Sequence, residues 1–356
     1  MISNLIKKRS FKRYFKASYK EDMKIFSTVW SKFWLSILLI GIMILPFITN
    51  EYVLHIASLC GIFIIGAIGL NILSGNTGQI SLGHGAFMAI GAYCTAILSN
   101  IINLPFFILI PISGIIAGVI GTIIALPALR LKGLYLAMVT FAFFYIVEFG
   151  ISNWASVTNG SSGISVSEAT VGSWVISGAT SNYYLIFFFA LIGTYFAVNI
   201  GRSKIGRAFG SIRDRDIAAE IIGISLTKYK IQAYFISSFY AGVAGSLYGI
   251  FLGFISPEHF PFMLCIQFLA MILIGGIGSV TGSIFGAIFL VIVPEGLKFI
   301  AGTLRQEYPV FSQQFGDVQT LFYGLIIIIT LIFAPKGLFG LWDDLKTYVR
   351  RWPFSY

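Results

Sequence analysis

The chain has 356 residues, of which 57% are hydrophobic and 11% charged, with a formal net charge of +10. Soluble domains carry roughly 25% charged residues, so the composition argues against one. The charge itself is too unevenly placed to mark a nucleic-acid partner. Of 24 Lys and Arg residues, 22 lie in four stretches: Lys7 to Lys32, Arg130 with Lys132, Arg202 to Lys230, and Lys336 to Arg351. Those stretches hold 22 basic and 7 acidic residues, net +15, and the rest of the chain holds 2 basic and 7 acidic residues, net −5. A basic face attracted to anionic membrane lipid explains that asymmetry.

In chain order, residues 1–32 form a basic tail rich in Lys, Phe and Tyr, expected to be a cytoplasmic extension lying at the interface or disordered. Apolar runs follow at 33–49, 52–73, 78–99, 104–126, 133–152, 183–200, 231–252, 261–279, 283–301 and 318–334. Each approaches the length needed to cross a hydrocarbon core of ~30 Å. In lipid the backbone must satisfy its own hydrogen bonds, and the alternation of a β-barrel is absent, so the runs read as helices. Cationic loops resist translocation, which assigns the basic side to the cytoplasm. Ten spans place every basic stretch and both termini on that side; nine or eleven would not. The expected fold is an all-α polytopic membrane protein. It has a permease domain over 33–340, an outer loop at 153–182, a cytoplasmic loop at 202–230, and a cytoplasmic tail at 341–356. Two halves of five spans would start on opposite sides of the membrane, as inverted repeats do.

Glycines cluster at Gly75–Gly91, Gly242–Gly253 and Gly275–Gly286. Small residues at such spacing let helices approach closely. The segment Gly75–Gly85 is polar as well, and with Asn71 it contributes Gln79, Ser81, Gly83 and His84. It reads either as a broken or re-entrant segment bordering a substrate pathway, or as a polar cytoplasmic turn between the second and third spans. The frame Gly201 to Gly206 is followed by Arg207 and Ala208 instead of the Lys and Ser/Thr of a phosphate-binding loop and comes after an apolar span, so nucleotide binding is rejected. His55, His84 and His259 have no metal-ligand spacing, and Cys60, Cys94 and Cys265 sit in apolar runs as small packing residues. Glu148 and His259 read as structural, and nothing in the chain points to an enzyme.

The loop 202–230 carries the sharpest signal. Asp216 to Ile222 is a short amphipathic helix former, and Gly223 is suited to end it. A short helix between two spans, lying along the membrane, suits docking of a soluble partner.

Ala219-Glu220-x-x-Gly223 resembles the coupling motif of bacterial ABC importer permeases. Leu70-Asn71-Ile72-Leu73-Ser74-Gly75-x-x-Gly78-Gln79-Ile80-Ser81-Leu82-Gly83-His84 resembles the LivM type of branched-chain amino acid permease, as do Gly206-Arg207-Ala208-Phe209, Pro127 to Tyr135, Thr158 to Gly163, and Gly275 to Ser279. The resemblance runs from about residue 52 to 340, with Asn159 standing where the family pattern usually shows Gly. It implies an inner-membrane permease subunit of an ATP-driven importer for leucine, isoleucine and valine. The implied partners are a second, homologous permease, two cytoplasmic ABC ATPases and a periplasmic amino-acid-binding protein. ATP would be used by the ATPases, and this chain would hold no cofactor or metal. Arg213, Asp214, Asp216, Ala219, Glu220 and Gly223 would couple it to them. A related urea, amide or other amino-acid importer is the nearest alternative; an ATP-independent carrier or channel, or a membrane subunit of an enzyme complex, fits the docking loop less well.

Overall fold

The computed structural model describes residues 29–304 and 337–351, except 103, 104, 130, 132, 168, 172, 173 and 177, with scattered positions between 321 and 332. The basic tail before residue 29, Arg130, Lys132, Lys336 and most of the expected tenth span lie outside the described residues. The chain forms two compact units, Met1–Asn50 and Glu51–Tyr356. In the first, helix α1 (Val29–Ile48) is followed by Thr49, whose hydroxyl donates to the Leu45 carbonyl at 2.8 Å.

The second unit begins with α2 (Glu51–Leu70), which runs on into a π-turn at Asn71–Gly75. Then come α3 (His84–Ile101), α4 (Phe106–Ala128), α5 (Leu134–Asn153), α6 (Ala179–Arg202), α7 (Lys204–Asp214), α8 (Asp216–Ile221), α9 (Leu226–Leu252), α10 (Phe262–Gly275), α11 (Val280–Leu304) and α12 (Gly337–Arg351). Among the described residues, six segments are long and apolar enough to cross a membrane: Glu51–Gly75, Phe106–Pro127, Leu134–Asn153, Ala179–Arg202, Leu226–Leu252 and Pro257–Gly275. Phe33–Ile48 and Val280–Gly296 are shorter apolar helices. The first nine expected spans thus have helical counterparts whose ends differ by a few residues, and two of the differences have a clear physical reason. The third starts at His84 rather than Gly78, because residues 78–83 are polar, glycine-rich and non-helical. The eighth stops at Gly275, because Gly276 (φ 121°) and Gly278 (φ 82°) turn the chain in a region that L side chains avoid.

Helix α9 is the central packing element, meeting α4, α3 and α2. Its glycines do what their spacing suggested. A Cβ on Gly91 of α3 would strike the Gly242 backbone, and one on Gly245 would strike the Met88 carbonyl. On the other flank, a Cβ on Gly118 of α4 would lie 2.9 Å from the Phe235 ring. Small residues bring these backbones together, and dispersion contacts then hold them. One polar cluster joins the three helices: Thr95 Oγ1 lies 2.7 Å from Ser113 Oγ and donates to Ser246 Oγ at 2.6 Å, all fully buried.

Burial separates centre from periphery. In their most apolar stretches α2 and α9 are 67% buried, whereas α5 is 28% and α6 22%. The outward surface of the peripheral helices is itself apolar. Along α4, Ile108, Ile115, Val119 and Ile123 are exposed at helical spacing. Such faces belong against lipid or another membrane subunit.

At the end of α9 remote from the 202–230 loop, the connections are tied together. Strand β1 (Ile164–Ser165) pairs antiparallel with β4 (Phe254–Ile255), and β2 (Ala169–Val171) with β3 (Trp174–Ile176). Val166 N–H also donates to the Gly253 carbonyl at 2.9 Å. Asn159, the departure from the family pattern, has φ 57° and is the one non-glycine with positive φ among the described residues. The position needs a left-handed residue; Gly supplies it freely and Asn tolerates it. The Asn159 side-chain amide then donates to the Gly163 carbonyl at 2.9 Å.

Candidate functional site

The site is built where the basic loop meets the broken end of α2. Helix α7 starts because Ser203 caps it: its Oγ accepts from the Ile205 and Gly206 amides at 3.1 and 3.4 Å. Ala208, Phe209 and Ile212 bury one face of α7, and the charged residues keep the other. After the extended Arg215, α8 begins at Asp216, whose carboxylate accepts from the Ile217 amide at 2.9 Å. The expected glycine stop is present in full. Gly223 has φ 87°, its N–H donates to the Glu220 carbonyl, and the Ile224 N–H donates to the Ala219 carbonyl, both at 2.9 Å. This is a Schellman termination, which uses the two carbonyls that the helix end leaves free.

The sequence motif does not reveal which way α8 faces. Ala219 is 1% exposed and seats the helix on the protein, while Ile217, Ile221 and Ile222 are 68, 81 and 72% exposed. Glu220 and Asp214 are also exposed. The outward side of this short helix is therefore an apolar tip beside charged groups. Amphipathic spacing could have indicated it, but the family motif drew attention to Ala219, Glu220 and Gly223 instead.

Residues 76–83 fold into the protein rather than project from it. Asn71, Thr77, Gln79, Ser81 and His84 are all buried. Buried polar groups need partners, and here those of Thr77, Gln79 and Ser81 are local while Asn71 and His84 reach other elements. Thr77 Oγ1 donates to the Leu73 carbonyl at 2.5 Å, Gln79 Nε2 to Thr77 Oγ1 at 3.1 Å, and Ser74 Oγ to the Gln79 carbonyl at 3.0 Å. Ser81 Oγ accepts from the Gly83 amide at 3.4 Å. His84 Nε2 donates to the Gly66 carbonyl at 2.8 Å, which pins α3 to α2, and its ring meets Phe268 of α10 edge-on. Gly83 lets the chain approach α5: a Cβ there would sit 2.7 Å from the Thr140 carbonyl, and the Leu82 amide donates to Thr140 Oγ1 at 2.9 Å. Leucine at position 83 would thus overpack against backbone.

The two regions touch. Arg213 Nη1 donates to the Gly75 carbonyl at 3.1 Å, and Asn71 Oδ1 accepts from the Gly278 amide at 2.8 Å. Of the residues that the sequence singled out, the structure brings Arg213 and Asn71 into one cluster through Gly75 and Gly278. Gln79, Ser81 and His84 lie further along the broken segment. Among the described residues no three His, Cys, Asp or Glu side chains could share a metal ion. His259, read as structural, has Nδ1 3.0 Å from both the Ser256 amide and hydroxyl, closing a capping box.

A family model described as "Branched-chain amino acid transport system / permease component" matches residues 52–331. The chain is 32% identical over 331 residues to the high-affinity branched-chain amino acid transport system permease protein LivM of Salmonella typhimurium, covering 86% of this chain and 74% of that protein. The LivM protein of Escherichia coli K12 is likewise 32% identical, over 334 residues, with the same coverage. The permease protein LivH of Salmonella typhimurium is 25% identical over 302 residues, covering 77% of this chain and 90% of that protein. No solved structure matches the chain.

Proposed function

The chain belongs to the branched-chain amino acid transport permease family, whose members are membrane transport subunits and not enzymes, and on that premise we propose that it imports leucine, isoleucine and valine as one permease of an ATP-driven transporter. In this reading it sits in the bacterial inner membrane with both termini in the cytoplasm. It pairs with a second, homologous permease and receives substrate from a periplasmic binding protein. Two cytoplasmic ABC ATPases use the ATP, and this chain needs no cofactor of its own. The similarity to both LivM and LivH, two permease proteins described for the same kind of system, supports the pairing.

The observation that supports the reading most directly is α8: a capped helix in the long basic loop, seated by Ala219, with Ile217, Ile221 and Ile222 turned outward. An apolar tip in an aqueous compartment calls for a partner. Docked in an ATPase, α8 moves when the ATPase dimer closes, and rigid-body rocking of the spans alternates access to the substrate. The broken segment around Asn71, Gln79, Ser81, Gly83 and His84 borders the route in this scheme. Within it Thr77, Gln79 and Ser74 satisfy one another locally, while Asn71 and His84 tie it to Gly278 and Gly66, so its position depends on the elements around it.

Two measurements test the proposal. Vesicles holding the assembled transporter and its binding protein are expected to accumulate labelled leucine only with ATP inside the ATPase compartment; equal uptake without ATP points to a carrier. A cysteine at Ser161 is expected to react with an impermeant maleimide from the periplasm, and cysteines at Ser203 and Lys346 are not. Reaction at position 203 from outside overturns the orientation and the docking site together.

A further inference from the structure

We propose that Arg213 is the positioning residue that transmits movement of the docking helix to the membrane spans, by clasping the π-turn of α2 against the turn between α10 and α11; this rests on the docking reading above. Arg213 occupies the last turn of α7, and only Arg215 intervenes before α8, so it moves with α8. Two backbone hydrogen bonds tie the junction. The Arg215 amide donates to the Ser211 carbonyl at 3.1 Å, and the Ala219 amide to the Arg215 carbonyl at 3.0 Å.

The guanidinium, on a side chain 44% exposed, lies against a surface of glycines. Nη1 donates to the carbonyl of Gly75, the last residue of the π-turn, at 3.1 Å. A Cβ on Gly78 would fall 3.3 Å from Arg213 Cγ, and one on Gly278 only 2.8 Å from Nη1. Both glycines have positive φ, at 71° and 82°. The exposed Asp214 carboxylate accepts from Nε at 3.4 Å. Asn71 closes the ring from beneath, because its Oδ1 accepts the Gly278 amide at 2.8 Å while its residue begins the π-turn. One cation on the loop thus contacts the end of α2 and the start of the connection into α11, over sequence separations that no local motif spans. A π-turn is a rare helical irregularity found frequently at functional sites, which makes it a suitable receiver of the stroke. Lysine would keep the charge but not the planar fork that lies against this surface.

The test uses the whole transporter, with both permeases, ATPases and binding protein, reconstituted in liposomes. It compares wild type, Arg213→Ala, Arg213→Lys, Asn71→Ala and the double Ala variant. The readouts are complex yield and leucine imported per ATP hydrolysed. Arg213→Ala is expected to assemble at wild-type yield and to lower the import ratio at least tenfold, with partial recovery in Arg213→Lys. The Asn71→Ala effect should not add to that of Arg213→Ala, because both act on one clasp. If Arg213→Ala fails to assemble, Arg213→Lys decides: a severalfold lower ratio at full yield supports the clasp, and a wild-type ratio overturns it. An unchanged ratio in Arg213→Ala, or a loss of import in proportion to lost yield, makes Arg213 a structural prop only. A wild-type complex that shows no ATP-driven uptake removes the transport reading first, and this inference with it.

Discussion

Transporters carrying Gly223→Pro are expected to reach the membrane in normal amount and to lose their ATPase subunits on purification. Gly223 sits at φ 87°, and its N–H donates to the Glu220 carbonyl at 2.9 Å. Proline fixes φ near about −65° and has no N–H, so it removes both the turn and the bond. Nothing lies within 4 Å of where a Cβ would stand, so the damage comes from the backbone and not from crowding. The consequence falls on α8, whose last turn presents Ile221 and Ile222. Gly223→Ala isolates the conformational part, since a left-handed L-residue costs about 1–2 kcal/mol, and should weaken ATPase retention less. Glu220→Ala removes an exposed charge beside the same tip and should weaken it too. Co-purification of ATPase with the permease is the measurement. Retention at wild-type stoichiometry in the Pro variant would remove α8 from the docking site.

Gly245→Ala is expected to destabilise the membrane core sharply, whereas Gly249→Ala, one helical turn on, is not. At position 245 the added Cβ would land on the Met88 carbonyl, which is backbone and cannot rotate away. Helices α3 and α9 would have to separate, and overpacking of this kind costs about 1–3 kcal/mol. Separation would also pull Ser246 from Thr95, now 2.6 Å apart. A buried hydroxyl left unpaired costs about 1–3 kcal/mol more. At position 249 the nearest atoms are 3.6 Å away, an ordinary contact, and alanine favours a helix by about 1 kcal/mol over glycine. Thermal unfolding of the detergent-solubilised permease distinguishes the two. Equal melting temperatures would mean that the α3–α9 crossing is looser than its backbone contacts indicate.

Much of the architecture was legible in the sequence because the forces that set it act residue by residue along the chain. Hydrophobic length locates spans without knowledge of neighbours, and the described helices follow nine of the ten expected runs. The Asp216–Ile221 helix and its Gly223 stop are local backbone events and were readable for the same reason. The departures fell where local and tertiary demands differ. Residues 78–83 looked like the start of a span by average hydropathy, but their polar groups needed partners, and the chain left the helix to find them. Likewise Asn159 looked like a deviation until its left-handed backbone showed that the position asks for a conformation, which Asn can also adopt. What only the tertiary structure decided is the pairing. Arg213 reaches Gly75 from 138 residues away, and Asn71 reaches Gly278 from 207. Thr95, Ser113 and Ser246 meet from three helices. A hydroxyl, an amide or a guanidinium announces in sequence only that it will need a partner in a low-dielectric interior. Which partner it takes depends on how closely the glycine faces of α3, α4, α9, α10 and α11 allow the helices to approach.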